Sequence, residues 1–269
     1  MHEALVGICM TILDEVDTMK KAFRPLAALA LLALLPVPGR AQTADEIIEK
    51  HLAASGGRAA LGKLTSRTTS GSITLTTPVG DLAGTIELFN KAPNKSRTLI
   101  NLDLTAVGGP KVVSDSRFDG AAGYVIDSFN GNREITGSQL DAMRNGSFPT
   151  PLLGYKESGS SVALANKEKV GEKDAYVIQL TPKTGPGSRV FIDTESFMLV
   201  RTVMTVNVPQ LGGDIEQVVE FSDFRDVDGV KVAYVVKSTN PAQTITATVA
   251  DVKHNTQIDD SSFQKPAAQ

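Results

Sequence analysis

Cysteine is nearly missing from this sequence: one residue, Cys9, among 269. It lies upstream of the export segment described below, so removal of that segment leaves no disulfide, haem-attachment pair or cysteine metal site. Tryptophan is absent and aromatics are 5%, thin for a protein that stacks bases or sugars. The only histidines are His2, His51 and His254, which leaves little for a histidine metal site or acid–base pair. A net charge of −3 supplies no basic field, so nucleic acid is not an expected partner. The G-x-G-x-x-G, Walker, G-x-S-x-G, H-E-x-x-H and C-x-x-C-H signatures do not occur. The glycines at 185–187 and 212–213 stand between strands rather than before helices. No cofactor, metal site or catalytic residue is expected, although a triad assembled from distant residues stays open.

What is present begins with an address. Hydrophobic residues make up 41%, enough to bury a core. Residues 19–41 read as a basic start (Lys20, Lys21, Arg24), an apolar run from Leu26 to Leu35, and a small-residue stretch ending at Ala41. That order is a cleavable signal peptide, and its apolar run is too short to span a bilayer. Acidic residues Asp14, Glu15 and Asp17 precede it, which is foreign to such signals. Translation is therefore expected to start at Met19, with residues 1–18 an artefact of gene-start assignment. The mature part is expected to be one domain over residues 42–264, a flexible tail over 265–269, and no membrane span.

Thr43 to Glu46 has the spacing of a capping box. Ile47, Ile48 and Leu52 follow at helical spacing, and Gly56 and Gly57 supply a stop. His51 reads as a surface or boundary residue of this helix, and Arg58 to Leu64 as a second short helical piece. From Thr65 the period becomes two. Ile73 and Leu75 alternate with Ser72 and Thr74; Tyr176, Ile178 and Leu180, then Val230, Val232, Tyr234 and Val236, then Ile245, Ala247 and Val249 form later rows. Such alternation marks antiparallel strands with one apolar face. Turn pairs such as Asp119-Gly120 and Asp228-Gly229 separate about ten strands. A sheet of that size curls around an interior.

One segment breaks the pattern. Residues 136–144 read as a short helix with Leu140 and Met143 on one face, followed by Phe148, Pro149, Pro151, Leu152 and Leu153. It is either a plug that completes the core or a lid over a cavity. Leu140, Met143, Phe148 and Leu152 are the candidate ligand-lining or lid residues. The carboxylate pairs Asp226/Asp228 and Asp259/Asp260 lack the spread of oxygen ligands of a calcium loop and read as turn formers. His254, at the end of the last clean strand, has no sequence-adjacent partner for a metal.

The order of phrases in the second half carries a resemblance. Val170 to Pro182 (VGEKDAYVIQLTP), Arg189 to Glu195 (RVFIDTE), Met198 to Arg201, Asp223 to Lys231 (DFRDVDGVK) and Asn255 to Phe263 (NTQIDDSSF), with Lys91 to Lys95 (KAPNK) in the first half, are together similar to the outer-membrane lipoprotein-sorting (LolA/LolB-like) superfamily, as a divergent member. The resemblance implies a mainly β fold: a curved antiparallel sheet, or unclosed β-barrel, with short helices covering the mouth and an apolar cavity inside. In relatives such a cavity receives lipid or lipoprotein acyl chains. The arginine that holds the lid closed in the carriers has no counterpart by motif; Arg97 and Arg117 are candidates.

The expected function is a periplasmic binding protein that holds a lipid or lipoprotein acyl chain, with outer-membrane lipoprotein sorting as one use. The alternative is a module on the same fold that binds envelope proteins or senses envelope state through its outer face. N-terminal sequencing of the native protein is expected to find a first residue just after Ala41. A mature form beginning before residue 19 would refute the Met19 start.

Overall fold

In the computed structural model the described residues are 42–266, without 79, 106–107, 129–130 and 209–212. The signal segment, Cys9 and residues 267–269 lie outside them. Helix α1 (Ala44–Ala54) opens on the expected capping box: Thr43 Oγ1 accepts from the Glu46 amide at 3.2 Å, and Glu46 Oε2 accepts from the Thr43 amide at 3.1 Å. Two orphan amides are thereby satisfied. Ile47, Ile48 and Leu52 on its inner stripe are fully buried. Its end is seated by Gly56, at φ 123°; a Cβ there would sit 2.4 Å from the Gly229 carbonyl. α2 (Arg58–Leu61) follows at once.

Then come β1 (Ser66–Thr77), β2 (Gly80–Lys91), β3 (Lys95–Asp103), β4 (Lys111–Phe118), β5 (Gly123–Asp127) and β6 (Arg133–Ile135). Helix α3 (Gly137–Asn145) and a 3₁₀ turn (Pro151–Leu153) lead to β7 (Ser161–Val170), β8 (Lys173–Thr181), β9 (Ser188–Asp193), β10 (Leu199–Val208), β11 (Gly213–Val227), β12 (Val230–Asn240) and β13 (Gln243–His254). A second 3₁₀ turn (Asp260–Phe263) packs against β3 and β4. Among the described residues there are thirteen strands rather than about ten. β5 and β6 are short, and β4 (KVVSDSRF) carries no apolar row to reveal it.

All thirteen strands form one antiparallel sheet in the order β6-β5-β4-β3-β2-β1-β13-β12-β11-β10-β9-β8-β7. Every neighbour is sequential except the central pair β1–β13, which joins the two ends of the domain. The free edges are therefore β6 and β7, consecutive in sequence, and residues 136–160 connect them. This is an open barrel with one unzipped seam. The register slips between Ser70 and Gly71, where a Cβ on Gly71 would lie 2.2 Å from the Thr248 carbonyl oxygen; only glycine permits that approach.

The main core packs α1 and α2 with Leu152 and Tyr155 against Tyr176, Ile178 and Leu180 of β8, Val190 and Ile192 of β9, and Val230. The expectation of one apolar face fails for β8 and β9. Ala175, Val177, Phe191 and Val203 make a second cluster on the opposite side, so both strands are buried on both faces and run nearly continuously apolar. Arg189 and Arg201 stand over the Phe191 ring, each 5.6 Å from its centroid, and are held by Glu216 and Glu220.

Arg97 and Arg117, opposite each other in the β3–β4 register, both grip Asp115. The Arg97 fork donates twice at 2.8 Å, and Arg117 Nη2 donates at 2.7 Å. Burial pushes this carboxyl up, and the two guanidiniums more than offset it, so its pKa lies below 3.8. Both arginines are committed to the wall rather than to a lid. Asp115 is 4% exposed. Asp115→Ala is expected to cost about 3–5 kcal/mol, because it strands partly buried cations; urea denaturation measures this, and a loss under about 1 kcal/mol would place the cluster with solvated surface pairs.

Candidate functional site

Side chains from β1, β2 and β8 through β13 converge on one hollow of about 450 Å³, so the sheet curls around it. Its wall is mostly aliphatic and aromatic: Leu88, Leu180, Val190, Leu199, Met204, Phe221, Phe224, Val230, Val232, Val236 and Val249 contribute. Alternation breaks at Asp223, whose φ is 51°, and Phe221 and Phe224, three residues apart, both reach the wall. His51 and Ser55 of α1 close one side, and residues 149–152 cover another. The volume falls within the range usual for small-molecule pockets, about 300–1,000 Å³.

Two other hollows differ in character. One of about 540 Å³ lies between residues 142–147, after the seam, and the 182–188 loop, and is lined by Asn145, Ser147, Thr184 and Ser188 among others. One of about 670 Å³ reaches Ala175 and Val200 of the outer cluster and carries both signs of charge, from Lys173, Asp174, Asp193, Glu220 and Lys237. The inner hollow has no Asp or Glu in its lining. It is the most apolar of the three.

The candidate lid residues separate. Leu152 is buried and lines the inner hollow. Phe148 is half-buried against the core, its ring centroid 5.4 Å from the Arg67 guanidinium. Leu140 and Met143 are half-buried on α3, a helix with no fully buried residue, and neither contributes to the lining of the inner hollow. The far end of the seam segment is tied down: Arg58 Nη1 donates to the Leu153 carbonyl at 2.9 Å, Tyr155 donates its hydroxyl to Asp45, and Lys156 reaches Asp45 at 3.1 Å.

His51 is not the surface or boundary residue the helix pattern suggested. It is 5% exposed, and its Nδ1 lies 2.9 Å from the Phe197 carbonyl. A carbonyl only accepts, so Nδ1 carries the proton. Burial holds the pKa of His51 below 6.5 against that hydrogen bond.

His254 has partners that its sequence neighbourhood did not reveal. Its side chain is 1% exposed. Arg67 Nε donates to its Nε2 at 2.9 Å, and its Nδ1 faces Asp228 Oδ2 at 3.2 Å. The lone pair that a general base would use is thus occupied by a guanidinium. Burial, then the Arg67 charge, push His254 down; Asp228 opposes them, and the pKa stays below 6.5. Of the two carboxylate pairs, Asp226 and Asp259 serve turns and caps as expected, whereas Asp228 faces His254 and Asp260 is taken up by lysines. Asp226 Oδ1 accepts from the Gly229 amide at 3.0 Å and Asp259 Oδ1 from the Ser261 amide at 2.8 Å. Asp260 is held by Lys91 at 2.7 Å and Lys95 at 2.6 Å, its pKa lowered to about 2. Lys265, expected in the tail, pairs with Glu134 at 3.1 Å.

Arg67 is the site residue that sequence reading missed. It stands on β1 in register with Asn90 of β2 and His254 of β13, and all its neighbours come from distant sequence. His51 was legible: it lies three residues after Ile48 and next to Leu52, inside the apolar stripe.

The architecture defines an open antiparallel β-barrel with the LolA-like fold. No protein-family model and no curated protein matches the sequence. Among solved structures, a LolA superfamily protein of Nitrosomonas europaea is similar at 13% identity and TM-score 0.52, with 84% of this chain and 99% of that one covered. A domain of Vibrio parahaemolyticus named for outer membrane lipoprotein sorting matches at 11% identity and TM-score 0.51, covering 81% and 95%. A DUF1329 family protein of Desulfovibrio piger matches at 13% identity and TM-score 0.51, covering 81% and 97%. At such identities the likeness is one of fold.

The two histidines are buried neutral, with folded pKa values below 6.5. Their contribution to stability is complete above pH 6.5 and is lost as pH falls toward the folded values, because the unfolded chain binds those protons more readily. Thermal melting is expected to show a larger drop in midpoint from pH 7.5 to 5 for the natural protein than for a His51→Asn, His254→Gln double variant. Equal drops would contradict neutral burial.

Proposed function

We propose that this is a periplasmic binding protein, exported with cleavage near Ala41, that shelters an acyl chain of a lipid or lipoprotein in the inner hollow. The observation that carries this reading is the apolar lining of a 450 Å³ space that the domain's own side chains leave unfilled. Removal of methylenes from water is worth roughly 0.8 kcal/mol each, so a chain of about twelve carbons gains about 10 kcal/mol. That is enough to offset the loss of freedom on association. Sharing a fold with a domain named for lipoprotein sorting supports the class of guest and leaves its identity open. The chemistry around His254 favours binding over catalysis, since the imidazole lone pair is already taken. An interaction or sensor module would do its work on the outer face and needs no such space.

Native mass spectrometry of gently purified protein is expected to show a bound mass that organic extraction identifies as acyl lipid. Val249→Trp, which projects bulk into the hollow, is expected to lower uptake of a twelve-carbon acyl probe by roughly tenfold or more while the circular dichroism stays that of a β protein. A protein that emerges empty and ignores acyl probes overturns the proposal.

A further inference from the structure

The inner hollow contains a charge that its apolar wall does not explain. The Arg67 side chain lines it, and burial pulls its pKa down to about 10, so it remains a cation at neutral pH. Buried cations in proteins are ordinarily paired with a carboxylate, because desolvation without a counter-charge is expensive. Arg67 has none. Its Nε is used on the neutral imidazole of His254 at 2.9 Å, and one face is covered by the Phe148 ring, 5.4 Å away at the centroid. Nη1 and Nη2 have no hydrogen-bond partner among the described residues. The lining holds no acidic side chain, and its other full cation, Lys231, has Asp226 at 3.5 Å. Arg67 is therefore a held, uncompensated fork of donors beside an otherwise apolar space.

Building on the acyl-chain reading, we infer that the guest is a single-chain amphiphile with a carboxylate head, seated with that head on the free edge of the Arg67 guanidinium and its tail along Val190, Phe221 and Val236. A guanidinium edge meets a carboxylate through two parallel N–H···O bonds. One cation balances one negative charge; a phosphate monoester, carrying close to two near neutral pH, would bring an uncompensated charge into a low-dielectric wall. The hollow is of a size for one chain rather than several. His254 and Asp228 are positioning residues: Asp228 sets the tautomer of His254, which takes up the inner Nε donor of Arg67 and leaves the outer fork to the ligand.

The test is displacement of a neutral hydrophobic dye, N-phenyl-1-naphthylamine, from the folded full-length mature protein by laurate, 1-dodecanol and dodecyl phosphate. For the natural protein, laurate is expected to displace the dye at a concentration lower than dodecanol by roughly tenfold or more, with dodecyl phosphate weaker than laurate. In Arg67→Gln the laurate and dodecanol curves are expected to converge with dodecanol unchanged, which also reports an intact hollow. Arg67→Lys, keeping charge without the fork, is expected to fall between. Equal displacement by laurate and dodecanol in the natural protein, a preference that survives Arg67→Gln, or tighter binding of dodecyl phosphate would each overturn the carboxylate assignment while leaving the acyl-chain reading intact. Failure of the dye and of all three probes to bind would overturn both. Should Arg67→Gln not fold, the head-group comparison on the natural protein decides alone.

Discussion

The pairing of β1 with β13 organises everything else in this domain. It couples residues nearly the whole domain apart, Arg67 with His254 and Leu75 with Ile245, and sets the first and last strands side by side in the middle of the sheet. Once those strands are zipped, every other strand pairs with its sequence neighbour, and the only strands left without a second partner are β6 and β7. An antiparallel sheet of thirteen strands twists and coils, and these two edges stay unpaired among the described residues. The segment that connects them then lies at the seam, and its second half roofs the hollow.

That hollow is bounded by strands from both halves of the sheet and by the N-terminal helix, so it exists only when all three are assembled. Its wall is mostly apolar because most lining positions of β8 through β13 are aliphatic or aromatic, and, among the described residues, its cation without a carboxylate partner is carried by the first strand, at the junction of the two halves. The same pairing that closes the sheet sets His254 beside Arg67. The Asp115 cluster, by contrast, is internally neutralised by Arg97 and Arg117 and stays part of the wall.

Much of this was readable in one dimension, and the failures have identifiable causes. The capping box, the stripe of Ile47, Ile48 and Leu52, and the strand rows at 176–180 and 230–236 depend on neighbours a few residues away, so local spacing exposed them. β4 was invisible because its partners, not its own polarity pattern, make it a strand. β8 was half understood: its inner row of Tyr176, Ile178 and Leu180 was found, but β9 was not read as a row, and burial of the outer side around Phe191 depends on Arg189 and Arg201 lying over it. Leu152 was found in the candidate lid by its apolar neighbourhood. Leu140 and Met143 share a helix face in the same segment, yet that helix lies toward the 182–188 loop rather than over the inner hollow.

What the sequence determined alone is the kind of fold: period-two rows and turn positions together specify a mainly β domain built on one curved antiparallel sheet. Those properties rest on composition and on interactions within about one turn or one strand. Which strand meets which, where the sheet fails to close, and that Arg67 lacks a carboxylate were decided only by the tertiary structure. A charge is paired or unpaired according to what lies within a few ångströms, and around Arg67 those neighbours, Phe148 and His254, come from parts of the chain that only the closed sheet brings together.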